Sequence, residues 1–411
     1  MSKLLKLAWR NVQRNRRRTI ITASAIILGV TMMLIVSGII SGMLERTVNN
    51  SVELETGHIK IFPKGYYDKS DLMPTNLHIR NYSEIVNLID EINGVKDISP
   101  RIKAGGILQI EDNSSGVVIN GINPEEDSKI RNLENRIIEG EKLVNEDANV
   151  TMIGETLANK LKIELNDEVL LSSVAANGSA VFVTVKVKAI FSTGLSSYDG
   201  NMIFLSLSKA QDMLKIGRDN ATEIVVMVDN PQDLNFVTTV IRSELIDNDY
   251  DLEVFGWEEL APDLAQFVEM EKGFGTFFLL IVLFIASSGI LNTMLMAVYE
   301  RIKEVGVMAA FGYKRRHILI LFLWEGVIIG LIGAIIGYIV GLGITYYLSV
   351  TGIDFAGGAV VEFFETTVYP KLSLLDAILP FILAMFIALL ASFYPAYKAS
   401  KLEPVEALRH V

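Results

Sequence analysis

The segment ERIKEVGVMAAFGYKRR, Glu300–Arg316, sets five basic and two acidic side chains between two long apolar runs. The chemistry open to it is mechanical, because a short polar helix between two membrane spans can couple them to another protein. Ile302, Val305, Val307, Met308, Ala310 and Phe311 recur at the spacing of a helix lying in a membrane surface. Arg301, Lys303, Glu304 and the run Lys314, Arg315 and Arg316 are expected to face water or a partner. Gly312 is placed to stop the helix, since glycine adopts the left-handed conformation that ends one. An ordinary basic loop would carry the same charges, and spacing alone leaves both readings open.

Two acids, Glu325 and Asp376, fall inside apolar runs. Burying a carboxylate in a bilayer costs several kcal/mol unless it is paired or hydrated, so both are candidates for proton transfer, or for an interfacial or structural role. Asp376 lies about one turn inside the outer end of its run. Glu325 lies about two turns from the inner end of its own, within reach of a basic partner. Other chemistries lack their residues. No GxxxxGKS/T loop is present, so the chain is not expected to hydrolyse ATP itself. The histidines His58, His78, His317 and His410 lack metal-ligand spacing, and GxSxG is absent. Ser206 and Ser208 read as helix caps.

The elements that must position these residues are read from hydropathy. Uncharged or nearly uncharged runs at 20–42, 273–299, 318–350 and 372–397 each exceed the about 20 residues that cross a hydrocarbon core. The first is too long for the apolar region of a signal peptide and reads as a retained span. Residues 1–19 carry seven Lys or Arg and no acid, and read as an amphipathic N-terminal helix. The charge balance puts that helix, the 300–317 segment and the 398–411 tail in the cytoplasm, with 43–272 and the 351–371 loop outside. The outer segment holds 39 acidic against 21 basic residues, which argues against a nucleic-acid partner. The chain has no cysteine, so no disulfide supports that segment.

The expected fold is membrane α+β, with four spans and a large α/β extracytoplasmic domain between the first two. Leu44–Glu55 and Trp257–Phe274 read as helices that continue the spans into a stalk. Two βαβ-like units, Gly57–Ile102 and Ala221–Trp257, suggest a split ferredoxin-like subdomain. Between them, residues from about 101 to 205 read as an inserted, mainly β subdomain. Gly326, Gly330, Gly333, Gly337 and Gly341 in the third span permit close helix packing, onto span four or across a dimer seam.

Several stretches resemble one family. LAWRNVQRNRRRTIITASAIILGV (Leu7–Val30), the Glu300–Arg316 segment and YPAYKASKLEPVEALR (Tyr394–Arg409) look like the N-terminal helix and first span, coupling segment and C-terminal signature of a group of ABC transporter permeases. That group has an extracytoplasmic domain and includes MacB, LolC, LolE and FtsX. Ile153–Leu171 and Ile190–Phe204 are similar to the MacB and LolC/LolE branch. The resemblance implies a non-catalytic subunit of a cell inner membrane transporter. It implies a second permease subunit and a cytosolic ATPase dimer that uses ATP and magnesium, with no cofactor bound by this chain. Glu300, Arg301, Glu304, Val305, Gly306 and Gly312 would form the ATPase-coupling site. Spans one and two would form the subunit interface.

Lipoprotein release is the expected function, nearest the LolC/LolE branch. MacB-like export of peptides, toxins or drugs, and FtsX-like control of cell-wall hydrolases, are the alternatives. Met32, Met33, Val36, Ile40, Phe267, Phe274 and Phe278 would hold acyl chains, or else meet lipid or the second subunit. A periplasmic carrier or adaptor is a further implied partner. Where LolC has an extended hook, however, this chain has only the short turn Val174–Ala180.

Overall fold

The computed structural model describes residues 2–354 and 367–403. They divide into two compact units, one of Met1–Glu45, Val268–Asp354 and Thr367–Val411, the other built on Arg46–Phe267. Among the described residues, three helices are long and apolar enough to cross a membrane: Thr19–Thr56, Arg315–Thr351 and Asp376–Ser400. The apolar run 273–299 lies within a further helix, Pro262–Glu300. Ser2–Arg14 forms a separate helix that breaks at Asn15 before Arg16–Ser51 begins. Arg409 and the loop 355–366 lie outside the described residues.

In the first unit, Ile26, Val30 and Leu34 of Arg16–Ser51 share a core with Ile290 and Met294 of Pro262–Glu300, Phe322 and Ile329 of Arg315–Thr351, and Ala388 of Leu374–Ser400, the helices on which the expected spans one to four fall. The glycine stripe of span three sets how closely these helices approach. A Cβ on Gly326 or Gly330 would strike Ser392 or Ala388 of span four, at 1.7 and 2.3 Å. Gly333, Gly337 and Gly341 instead abut Ile26, Ile27 and Leu34 of span one. The expected span-four contact therefore holds only for the first part of the stripe, because the crossing helices hand over along it. A Cβ at Gly337 would lie 2.8 Å from the Ile27 carbonyl oxygen, and Thr31 donates to the Gly337 carbonyl at 3.1 Å. Gly337→Val should force spans one and three apart and lower the thermal midpoint of the full-length protein in detergent.

The second unit is a ten-stranded sheet. Its strands are β1 (Ile59–Pro63), β2 (Val95–Ile110), β3 (Asn113–Ile122), β4 (Ile137–Gly140) and β5 (Val150–Gly154). The remainder are β6 (Glu168–Val174), β7 (Ala180–Phe191), β8 (Met202–Ser206), β9 (Glu223–Val228) and β10 (Leu252–Gly256). The order is β10-β1-β9-β2-β3-β8-β5-β7-β4, with β6 pairing β2 and β7. Its first four strands carry the helices Tyr82–Asp90 and Leu234–Asp247 on one face, over Ile59, Ile61, Ile224 and Val226. That is the strand order of a ferredoxin-like unit.

Sequence reading ends one strand near Ile102 and starts another at Ala104, but β2 runs through without a break. The bare backbone of Gly106 is what lets β6 approach, since a Cβ there would lie 2.8 Å from the Ser172 carbonyl. The helix expected from Trp257 is also divided, into Trp257–Leu260 and Pro262–Glu300. Proline disfavours helical geometry in the residue before it, and Ala261 sits at φ −125°, ψ 65°. Val174–Ala180 is a tight turn whose Ala175 is buried and whose Ala176 N–H bonds the Leu214 carbonyl, so no hook protrudes there.

The other face of the ferredoxin-like strands is a buried charged layer. Lys60 pairs with Glu223 at 3.1 Å, and burial pushes the lysine down to about 8 despite that partner. Asp127 takes Arg101 at 2.6 Å and Arg131 at 3.4 Å, all three within 2 % of full burial. Arg131 Nε and the Tyr198 hydroxyl both donate to the Leu54 carbonyl, at 2.9 and 3.2 Å. Leu54 belongs to a π-helical turn, Val52–Thr56, which ends at Gly57 with φ +63°. Leu54 is itself buried in the core around Phe191 and Phe204.

At the start of β1, His58 Nδ1 accepts the Val228 N–H at 3.1 Å, which requires that nitrogen to be unprotonated. Burial, and then Lys96, hold the imidazole below its ordinary 6.5. The unfolded chain therefore binds more protons here, so this stabilisation is complete above pH 6.5 and is lost as pH falls through the folded value. The thermal midpoint should fall as the buffer is taken from about pH 7 to about pH 5.5, a window below the titration of Lys60 in which histidine is the side chain that changes charge. His58→Gln, which can still accept the Val228 N–H, should flatten that slope.

Candidate coupling site

The segment after span two folds as the helix Ile302–Ala310, preceded by Arg301 at its cap position. It ends in a Schellman turn. Gly312 takes φ +86°, its N–H bonds the Ala309 carbonyl, and the Tyr313 N–H bonds the Met308 carbonyl at 3.1 Å. Span three then begins at Arg315.

Arg301 is expected at the surface, and the structure buries it. Its Nη1 donates to Glu325 of span three at 2.8 Å and its Nε to Glu304 at 2.7 Å, with 7 % of the side chain exposed. The guanidinium also lies over the Phe322 ring, 5.6 Å from its centroid. Two residues of the N-terminal helix complete the group. Asn11 Nδ2 donates to Glu325 at 2.5 Å, and Arg14 Nη2 donates to Glu304 at 2.7 Å. Partial burial would raise the Glu304 carboxyl, but the hydrogen bonds and charges of Arg301 and Arg14 hold it below the usual carboxylate value. Burial would lower Arg301, and Glu325 with Glu304 holds it above its ordinary value. The result is a clamp of fixed charges that joins three elements distant in sequence.

The two faces of the 302–310 helix are unequal. Ile302, Val305 and Gly306 are buried within the unit, where they position the helix. Lys303, Val307 and Phe311 point outward, and Phe311 is 82 % exposed. Glu300 ends the preceding helix at the surface.

Asp376 closes a capping box on Ser373, the N-cap of the helix Leu374–Ser400. Ser373 Oγ donates to its carboxylate at 2.7 Å, and the Asp376 N–H donates back to that oxygen at 3.1 Å. Met32 is half exposed, and Met33, one residue on and turned about 100° round the helix, is buried. Val36 and Ile40 are half-buried and Phe267 is exposed. The side chains of Phe274 and Phe278 lie outside the described residues. Among the described residues, no group of three or more His, Cys, Asp or Glu converges as a metal site.

Sequence reading missed Asn11, Arg14, Arg131 and Tyr198. Asn11 had a signal: it is a short polar residue between Ala8 and Val12, on the face that the helix buries.

The MacB-like periplasmic core domain family matches residues 19–243, more than half of the chain, and the FtsX-like permease C-terminal family matches 276–404. The macrolide export ATP-binding/permease protein MacB of Wolinella succinogenes is 26% identical, over 98% of this chain and 60% of that protein. This chain thus spans less than two thirds of that relative. The uncharacterized ABC transporter permease YvrN of Bacillus subtilis is 24% identical over 99% of both chains. The lipoprotein-releasing system transmembrane protein LolE of Haemophilus influenzae is 21% identical over 98% of both. The chain therefore belongs to the family that joins a MacB-like periplasmic core to an FtsX-like permease domain, the ABC transporter permeases of MacB and LolC/LolE type.

Proposed function

We propose that this chain is the membrane subunit of an inner-membrane transporter, and that its 302–310 helix passes the movement of a cytosolic ATPase dimer to the outer unit. The supporting observation is the clamp. Arg301 ties the coupling helix to Glu325 of span three, so force on the exposed Phe311 face has a stiff route into the bundle. Both termini are cytoplasmic in this reading, and a second permease subunit completes the complex. The work done is extraction and release of lipoproteins, as the name of the LolE relative suggests. MacB-like export is the second reading, favoured by the tight turn at Val174–Ala180, which offers no hook to a carrier.

Purifying the tagged protein from its native membrane in mild detergent tests both readings. An ATPase and bound lipidated proteins are expected; an adaptor protein without lipoproteins would favour export. Depletion that leaves lipoprotein distribution unchanged would sink the lipoprotein reading. Glu304→Lys turns two attractions, to Arg14 and Arg301, into repulsions. The Arg14 pair is exposed and worth about 1 kcal/mol or less, and Arg301 keeps Glu325 as its buried counter-ion, so insertion and folding should survive. Stimulation of the partner ATPase should fall to its basal rate.

A further inference from the structure

The N-terminal helix has a second charged face that the clamp does not use. Ala8 and Val12 are buried in the core that also contains Phe322, and Asn11 reaches Glu325 from that same side. At about 100° per residue, Lys6 and Arg10 fall on the opposite side, one above the other. Both are exposed, as are Arg16 and Arg17 where span one begins. No carboxylate pairs with any of the four among the described residues, and residues 1–19 contain no acid at all. Between the basic and buried faces run Leu5 and Trp9, one turn apart and each more than 40% exposed. Ile20 and Ile21, at the start of the span, are more exposed still.

A solvated basic patch would not need that apolar strip. A protein partner would have to cover Trp9 and the first lipid-facing turn of the span together. A bilayer surface satisfies both at once, because indole sits at headgroup depth and phosphates meet cations there. We propose that this helix is a binding surface for anionic phospholipid headgroups, with Lys6, Arg10, Arg16 and Arg17 holding phosphates while Leu5 and Trp9 enter the interface. The same helix carries Asn11 and Arg14 onto Glu325 and Glu304, so headgroup occupancy on one face steadies the coupling clamp on the other. The inference rests on the membrane reading of the chain and is independent of which substrate is moved.

The test uses the full-length protein in nanodiscs. The chain has three tryptophans, so Trp257→Phe with Trp324→Phe leaves Trp9 as the sole indole. Brominated phosphatidylglycerol and brominated phosphatidylcholine are compared at equal mole fraction as quenchers of Trp9. Anionic lipid should quench about twofold more strongly, and about 1 M salt should erase the difference by screening. The combined Lys6→Gln, Arg10→Gln, Arg16→Gln and Arg17→Gln variant should lose the preference while keeping quenching by either lipid. Equal quenching in the unmutated helix would overturn headgroup recognition. No quenching by either lipid would show that Trp9 does not enter the interface and would overturn the proposal, and a preference surviving in the variant would place the anion site elsewhere. The salt titration does not need the charge substitutions, so it decides the matter even if the combined Gln variant misfolds. None of these readouts depends on an ATPase or on lipoproteins, so they can fail while the transporter reading stands, and the reverse.

Discussion

Glu325→Leu should destabilise the full-length protein by about 3–5 kcal/mol, the usual consequence of removing one partner from a buried ion pair. Arg301 would keep its Nε bond to Glu304, but its Nη1 would face an apolar span with no anion. The measurement is thermal unfolding in detergent alongside stimulation of the partner ATPase. Two companion variants separate charge from packing. Glu325→Gln keeps an acceptor for Arg301 and Asn11 without the charge, and should cost less. Arg301→Met combined with Glu325→Leu removes both charges and should recover most of the stability, since apolar replacements of buried pairs are well tolerated. If the pair transmits force, that double variant should fold and still fail to stimulate the ATPase. Wild-type stimulation in the double variant would show that the pair serves stability alone. Unaltered transport in Glu325→Gln would remove proton transfer from consideration.

The second large effect is expected at Asp127. Asp127→Ala would leave Arg101 and Arg131 buried beside one another without the carboxylate they share. Each already suffers burial, and the Arg131 charge adds to burial in holding Arg101 below its ordinary value. The loss should be at least about 3–5 kcal/mol, by the same argument of an uncompensated buried charge. Because Arg131 also holds the Leu54 carbonyl, the π-helical turn at Val52–Thr56 should loosen with it. Limited proteolysis of the full-length protein should then cut near residues 52–57 faster than in the wild type. Tyr198→Phe removes only the second donor to Leu54, and should cost about 1 kcal/mol, the scale of one hydrogen bond. An Asp127→Ala protein with an unchanged thermal midpoint would mean that solvent reaches this layer.

Much of the architecture was legible because it is written locally. Runs without charge announce spans, and a helix stop such as Gly312 follows from what glycine alone can do. The two βαβ-like stretches were readable for the same reason, since strand alternation and helix periodicity are short-range patterns. Errors arose where a distant backbone decided the outcome. The strand read as ending near Ile102 runs on to Ile110, and the neighbouring β6 makes Gly106 a point of close approach inside it. Met33 looked equivalent to Met32 until helix rotation buried one and exposed the other.

By itself, the sequence determined which segments are apolar enough to cross a membrane, where the acidic domain interrupts them, and that Glu300–Arg316 is a charged stretch between two apolar runs. These follow from hydropathy and charge along the chain, which need no knowledge of contacts. Only the tertiary structure decided what that stretch holds. Arg301 turns inward to Glu325, while Asn11 reaches the same carboxylate across 314 residues of sequence. Such pairings depend on the rotation and depth of each helix. Close packing along the glycines of span three sets that depth where it meets spans one and four, and buried charges must be paired once the packing encloses them.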